Sequence, residues 1–452
     1  MGTGEWIGLC VVVLLVGLVL GGFIGGSIAA FKAFGRRIAD GESGQEEERE
    51  VKPLLVQHFA PVTLERLVVA KRRFPMGIRA DLQHALDDIL GTELREMALV
   101  GVKAPYAHLG IEFANLLTRG SMGAFVAPPE YEEVDIGDNQ AVRCHNSTLW
   151  LVETQGKRAA LLLSKVHDYH GYGGLEVSLA MEQGDAQIRI SEELFRRLEA
   201  AVKAARSYRG KILSLEREAS YSGRSAGIKV HKLHTVDRDQ VILPPATLEL
   251  LDRNVLRFVA QRERLRQFGQ PTKKGLLFYG PPGTGKTHTI HYLAAALKDH
   301  TTLLIAAEQV GFLGEYMSLA RLYQPSLVIL EDVDLIARDR ESMDSPCAEA
   351  LLNKLLNEMD GLREDADILF VLTTNRPEQL ELALASRPGR VDQAIEFPLP
   401  NEEGRRKLIH LYSRGMRISE EIVANIVRRT SRVSAAFIKE LMRRSMQFQL
   451  ER

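Results

Sequence analysis

The sequence predicts an α/β chain: a parallel-sheet domain, preceded by an α+β domain and one transmembrane helix. Three observations predict it. An apolar stretch from Gly275 to Tyr279 runs into the loop Gly280-Pro281-Pro282-Gly283-Thr284-Gly285-Lys286-Thr287, and a helical stretch from His288 to Lys298 follows. Two further apolar runs, Leu327 to Leu330 and Asp367 to Thr373, each end in polar residues downstream of that loop. Near the other end, the 26 residues from Trp6 to Phe31 contain no Asp, Glu, Lys or Arg.

The chain has 452 residues, 45% of them hydrophobic and 26% charged, which is too much for one core and implies several globular units. Lys plus Arg (58) nearly cancels Asp plus Glu (59). That balance supplies no basic surface for a polyanion, so nucleic acid is not an expected partner. Three separated cysteines, no CxxC pair and no HExxH argue against a disulfide framework and against a zinc site.

At ~1.5 Å per residue, a helix over 6–31 crosses the ~30 Å hydrocarbon core with some tilt. Lys32, Arg36 and Arg37 follow it, whereas residues 1–5 carry only Glu5. The positive-inside tendency then leaves 1–5 on the non-cytoplasmic side and the bulk of the chain on the cytoplasmic side. Ser27-Ile28-Ala29 resembles a signal-peptide cleavage site, but the positive charges lie beyond the apolar run, and the leading stretch has none. An uncleaved anchor is therefore expected, in a bacterial plasma membrane before a mitochondrial inner membrane, since the first residues lack the Arg-rich character of a transit peptide. Gly17, Gly21 and Gly25, with Gly22, Gly26 and Ala30, repeat every four residues; the spacing suits helix association, although glycine is common in membrane helices anyway.

Residues 32–50, with Glu46, Glu47, Glu48 and Glu50, read as an acidic linker. Residues 51–240 are expected to form an α+β coupling domain. Its first part, to about residue 125, looks mostly helical; Leu82, Leu86, Ile89 and Leu90 share one face. Period-two runs at Asn146 to Glu153, Arg158 to Leu163 and Leu175 to Ala180 predict strands. Ser191, followed by Glu192 and Glu193, predicts a helix start reaching about Arg206, and strand-like runs follow at Lys211 to Leu215 and Ile228 to Leu233. His167 and His170, near Tyr169 and Tyr172, read as loop surface rather than a metal site.

Chemistry gathers after residue 241. Glycines let the loop 280–287 curl so that backbone N–H groups converge on phosphate oxygens, and the following helix adds its positive amino terminus. Lys286 is placed to reach terminal phosphates and the Thr287 hydroxyl to ligate Mg²⁺, which makes ATP the expected ligand. The second strand ends in Glu331-Asp332-Val333-Asp334, where carboxylates can hold the metal and activate water. The third ends at Asn375, whose amide can orient that water, and Arg387 and Arg390 offer cations for a neighbouring subunit's site.

Together the loop 280–287, the stretch Leu352 to Leu362, Thr374-Asn375 and Arg387-Pro388-Gly389-Arg390-Val391-Asp392 resemble the AAA (AAA+) ATPase family over about 241–450. The resemblance implies a large α/β subdomain over 241–398, a helical lid over 399–452 and a ring, usually hexameric. It places the metal and catalytic carboxylates on Glu331 and Asp332, the first sensor on Asn375 and the arginine fingers on Arg387 and Arg390. The lid's nucleotide-contacting turn falls on Ser434-Ala435. It also matches Phe312-Leu313-Gly314 to the pore loop that grips a threaded polypeptide. Three features depart from the family: the acids run Glu-Asp rather than Asp-Glu, the helix between Glu315 and Pro325 is short, and the lid's last helix is expected to be short. A similar Glu-Asp-Val-Asp occurs in relatives of the mitochondrial AAA translocase that inserts the Rieske protein; the membrane-bound AAA proteases share the anchor but carry HExxH. The expected function is a membrane-anchored ring ATPase that remodels, unfolds or translocates a protein, with a slow or inactive nucleotide-gated scaffold as the alternative.

Overall fold

The computed structural model describes residues 49–105, 110–120, 123–167, 173–204, 207–216, 227–338, 357–358, 361, 363, 365–377 and 391–451. The expected membrane span at 6–31, most of the acidic linker, His170 and the two expected finger arginines Arg387 and Arg390 lie outside the described residues. Among the described residues no helix is long and apolar enough to cross a membrane.

The first layer is a six-stranded sheet. Its elements are α1 (Val51–Phe59), β1 (Leu67–Pro75), α2 (Arg79–Thr92), β2 (Arg95–Lys103), α3 (Phe113–Leu117), β3 (Phe125–Ala127), the hairpin β4 (Glu130–Gly137) and β5 (Gln140–Asn146), β6 (Thr148–Thr154), β7 (Lys157–His167), β8 (Gly173–Glu182) and α4 (Asp185–Ala204). Strand order is β1-β8-β7-β6-β2-β3, antiparallel throughout, with β4 and β5 paired separately. Residue alternation sorts the side chains: Leu149, Leu151, Ala160 and Leu162 pack with α1 and α3, whereas Trp150, Val152, Leu161 and Leu163 pack with α2 and α4. Two expectations change here. The stretch 51–125 was expected to be mostly helical, but it contributes β1 and β2; β1 carries the exposed run Lys71-Arg72-Arg73 and β2 opens on the exposed Arg95, Glu96 and Met97, so neither shows the period-two alternation that announces a strand. Ser191 does not start α4; it is buried within the helix and its hydroxyl bonds the Ile188 carbonyl, while the chain enters the helix at Asp185.

The second layer is a seven-stranded sheet of β9 (Ile212–Leu215), β10 (Ile228–His231), β11 (Lys274–Tyr279), β12 (Thr301–Ile305), β13 (Ser326–Leu330), β14 (Ile368–Thr374) and β15 (Gln393–Glu396), in the order β10-β9-β12-β13-β14-β11-β15. All pairs are parallel except β9 with β10. The expected boundary at 240 therefore moves: β9 and β10 complete the parallel sheet rather than the coupling domain. Helices α5 (Pro245–Leu251), α6 (Lys286–Ala296), α7 (Leu313–Leu322) and α8 (Val333–Arg338) flank this sheet. Leu327, Ile329, Leu369 and Val371 face one core with Ile290 and Leu293 of α6; Val328, Leu330, Phe370 and Leu372 face the other with α7.

That second core does not stop at the sheet. It is continuous with the buried side chains of α2 and α4, so the two layers share one hydrophobic interior. A polar lock sits in it. Tyr323, just after α7, donates a short hydrogen bond to Asp81 of α2, and the Ser207 amide donates to the other Asp81 oxygen at 3.1 Å. Asp81 is 1% exposed, and Arg209 ties the same corner to the Gln324 carbonyl at 2.7 Å. Burial, with the Asp81 carboxylate beside it, raises the Tyr323 phenol far above its ordinary pKa, so it is a donor at any working pH. Tyr323→Phe should cost about 1.5–3 kcal/mol, the worth of a hydrogen bond to a charged buried group, visible in urea unfolding monitored by circular dichroism.

Three helices form the lid: α9 (Glu402–Tyr412), α10 (Glu420–Arg429) and α11 (Ala435–Leu450). Asn401, Ser419 and Ser434 each accept a backbone N–H from the first turn, and Leu408, Ile409, Val423, Val427, Ile438 and Met442 close a separate small core.

Candidate nucleotide site

Strand order brings the site together. β14 lies between β13 and β11, so the carboxyl end of β14 stands between the acids after β13 and the loop after β11. The loop needs glycine. Gly280 has φ 147°, and a Cβ there would meet the Phe397 carbonyl oxygen at 2.2 Å; Gly283 has φ 75°, and a Cβ there would press on Ala436 and Ser434 of the lid. The amino terminus of α6 has Gly285 as its cap residue and no side-chain cap, which leaves its first N–H groups for a ligand.

Lys286 lies under the loop, only 7% exposed, and donates to the carbonyls of Gly280 (2.7 Å) and Pro281 (3.1 Å) and to Asn375 Oδ1 (2.8 Å). Burial lowers its pKa, while the charges of Asp332 and Asp334 act the other way. The Asn375 Nδ2 donates onward to Asp332 Oδ1 at 3.1 Å. Next to this relay the Thr287 hydroxyl donates to Glu331 Oε1 at 2.8 Å. A hydroxyl beside a carboxylate is an all-oxygen donor set suited to a hard dication, so these residues fit Mg²⁺. Thr284 closes the loop's near side by donating to the Pro281 carbonyl at 2.9 Å.

The inverted acid order has a backbone consequence. Asp332 sits at φ 51° in the left-handed region, a conformation Asp tolerates better than most residues, and its N–H donates to Thr373 Oγ1 at 2.9 Å. Glu331 meets Thr287 and Asp332 meets Asn375, so the two acids serve different partners. Asp334, 3% exposed, accepts both the Thr374 hydroxyl (2.9 Å) and the Asn375 amide (3.0 Å), fixing the turn that aims Asn375.

Above the loop lies a cavity of about 340 Å³. Pro282 to Thr289 form its floor; Gln240 to Leu243 form one wall, and Leu408, Tyr412, Ala435, Ala436 and Lys439 bring the lid over it. Sequence reasoning placed the lid contact on Ser434-Ala435. Ser434 caps α11 beside Gly283, Ala435 and Ala436 line the cavity, and the Ala436 N–H donates to the Gly283 carbonyl at 3.0 Å. Lys439, Tyr412 and His288 were not assigned a role from sequence.

The expected pore loop is not a free loop. Residues 307–312 form a 3₁₀ segment that leads directly into α7. Leu313 is fully buried and Phe312 is half-buried against the shared core, which removes Leu313 as a gripping side chain.

A strand, a glycine-rich loop, a helix amino terminus and a carboxylate–amide relay at the strand ends define a phosphate-loop nucleotide-binding domain of the α/β class. Residues 276–399 match the family described as "ATPase family associated with various cellular activities (AAA)", and this part of the chain is an AAA ATPase domain. The chain is 36% identical over 191 residues to the proteasome-activating nucleotidase of Methanothermobacter thermautotrophicus, covering 40% of this chain and 46% of that protein. It is 36% identical over 196 residues to the protein of the same name from Methanopyrus kandleri (40% of this chain, 44% of that protein). It is 33% identical over 194 residues to the 26S proteasome regulatory subunit 6A of Schizosaccharomyces pombe (40% and 44%). The chain thus spans less than half the length of each of these relatives.

Proposed function

We propose that this chain is a membrane-anchored AAA ATPase that assembles into a ring, hexameric as in the family it resembles, and uses ATP to remodel, unfold or translocate a protein substrate. The observation that carries the proposal is the relay Lys286–Asn375–Asp332 beside the Thr287–Glu331 pair. Lys286 and the loop N–H groups bind the phosphates. Glu331 and Thr287 hold Mg²⁺, which when bound neutralises charge on the phosphate oxygens. Asn375 orients water, and Asp332 takes its proton. Arg387 and Arg390 act on the adjoining subunit's site, and residues 6–31 hold the ring at the bilayer with the ATPase on its cytoplasmic side. The relatives named as nucleotidases that activate proteasomes support a nucleotide-driven machine acting on protein.

The Glu331-Asp332 order favours one second reading, a scaffold whose assembly responds to ATP without turnover. ATP turnover against protein concentration separates the two. A working ring gives specific activity that rises cooperatively with concentration and is lost in Arg387→Ala. Nucleotide-dependent assembly without phosphate release would overturn the enzyme reading in favour of the scaffold.

A further inference from the structure

We infer that His288, in the first turn of α6, is a positioning residue for the base of the bound nucleotide: it holds the Gln240 carbonyl and so ties the cavity wall 240–243 to the helix that follows the phosphate loop. This rests on the nucleotide reading of the site and adds to it a residue that the loop motif does not contain.

The cavity lining is of two kinds. Lys286, Thr287, Asp332 and Asn375 bring the polar groups that suit phosphate and metal. Val241, Ile242, Leu243 and Leu408 bring apolar surface, and the flat base is the part of a nucleotide that such surface takes. Three of those four apolar residues belong to one short strap, 241–243. Its side chains alternate: Val241, 5% exposed, and Leu243 pack with the sheet core, whereas Ile242 packs against the lid core. The strap is thus shared between the sheet and the lid, and its place depends on what holds its backbone.

His288 is that hold. Gln240 ends a 3₁₀ turn, Arg238–Gln240, whose own bonds are internal: the Gln240 side chain accepts the Asp237 N–H at 3.0 Å, and the Gln240 N–H donates to the Asp237 carbonyl at 3.0 Å. The Gln240 carbonyl points elsewhere and accepts the His288 Nε2–H at 3.2 Å. Both residues line the cavity, and His288 directly follows Thr287. One side chain therefore joins the base wall to the phosphate helix, which fixes the separation between the two parts of the site. A wall held in place keeps its backbone donors and acceptors at set positions, and such groups tell an amino-bearing base from a keto-bearing one. The start of the strap has a second tie, the Arg238 guanidinium 5.9 Å from the Tyr292 ring of α6, so losing His288 loosens the wall without detaching it.

The test uses the full chain and displacement of a fluorescent ATP analogue by ATP, by GTP and by inorganic tripolyphosphate. His288→Leu should weaken ATP about five- to tenfold, the worth of one hydrogen bond, and narrow the preference for ATP over GTP. Tripolyphosphate, which has no base, should keep its affinity. His288→Gln reaches as far as Nε2 with an amide N–H and should restore most of the ATP affinity and preference. Unchanged ATP affinity in His288→Leu overturns the inference, as does an equal loss for tripolyphosphate, which would place the effect on the phosphate loop. A His288→Gln variant as weak as His288→Leu overturns the hydrogen bond as its cause. All three outcomes leave the nucleotide site standing. Failure of the unsubstituted chain to bind ATP removes the nucleotide reading and this inference with it.

Discussion

Lys286→Ala should reduce ATP affinity by on the order of 100-fold or more, measured by isothermal titration calorimetry with Mg-ATP. Two losses combine. The phosphates lose a charge-assisted donor, worth about 1.5–3 kcal/mol by itself, and every 1.4 kcal/mol is tenfold in affinity. The loop also loses its internal prop, because the same Nζ donates to the Gly280 and Pro281 carbonyls. Alanine leaves both carbonyls and the Asn375 oxygen without that donor, so the loop geometry relaxes as well. Folding should persist, since the strand and helix on either side keep their own cores. An affinity within threefold of the unsubstituted chain would place the nucleotide elsewhere.

Asp332→Asn should leave ATP binding within a few-fold and lower turnover by about 10²–10⁴, the contribution expected of a general base. Asparagine is the informative replacement. It tolerates the left-handed backbone at φ 51°, so the Asp332 N–H keeps its bond to Thr373, and only the basicity is removed. Alanine would add backbone strain of about 1–2 kcal/mol and confuse the two effects. Phosphate release in single turnover checks it. Turnover unchanged in Asp332→Asn would move the base to Glu331, whose carboxylate then has to leave the Thr287 hydroxyl.

These two expectations also show how the inverted acid pair is accommodated. A glutamate after β13 has the reach to meet Thr287 across the site. The aspartate after it is shorter, and the left-handed turn at that residue accompanies its approach to Asn375. The turn at Asp332 is a matter of backbone conformation, which no residue count reveals.

The phosphate loop, the strands that flank it, the acids after β13 and Asn375 were legible in the sequence. Each is a local pattern: glycines at fixed spacing, short apolar runs, and polar residues at their ends. The lid was expected only from the family resemblance, although the cap that Ser434 gives α11 is local, a bond only three residues long. What the sequence could not supply is non-local. β9 joins the parallel sheet by pairing with β12, far along the chain, so the coupling layer ends earlier than composition suggests. β1 and β2 escaped detection because runs of consecutive exposed residues, Lys71 to Arg73 and Arg95 to Met97, break the period-two alternation. Asp81 and Tyr323 are 242 positions apart, and only the fold makes them one buried lock. Leu313 is taken out of a pore role by a core formed from both layers. The contact of α11 with Gly283 likewise joins segments far apart in the chain. Motif spacing encodes what one loop must do for a phosphate, whereas shared cores and lid contacts arise from close packing between distant segments, and that was decided by the tertiary structure alone.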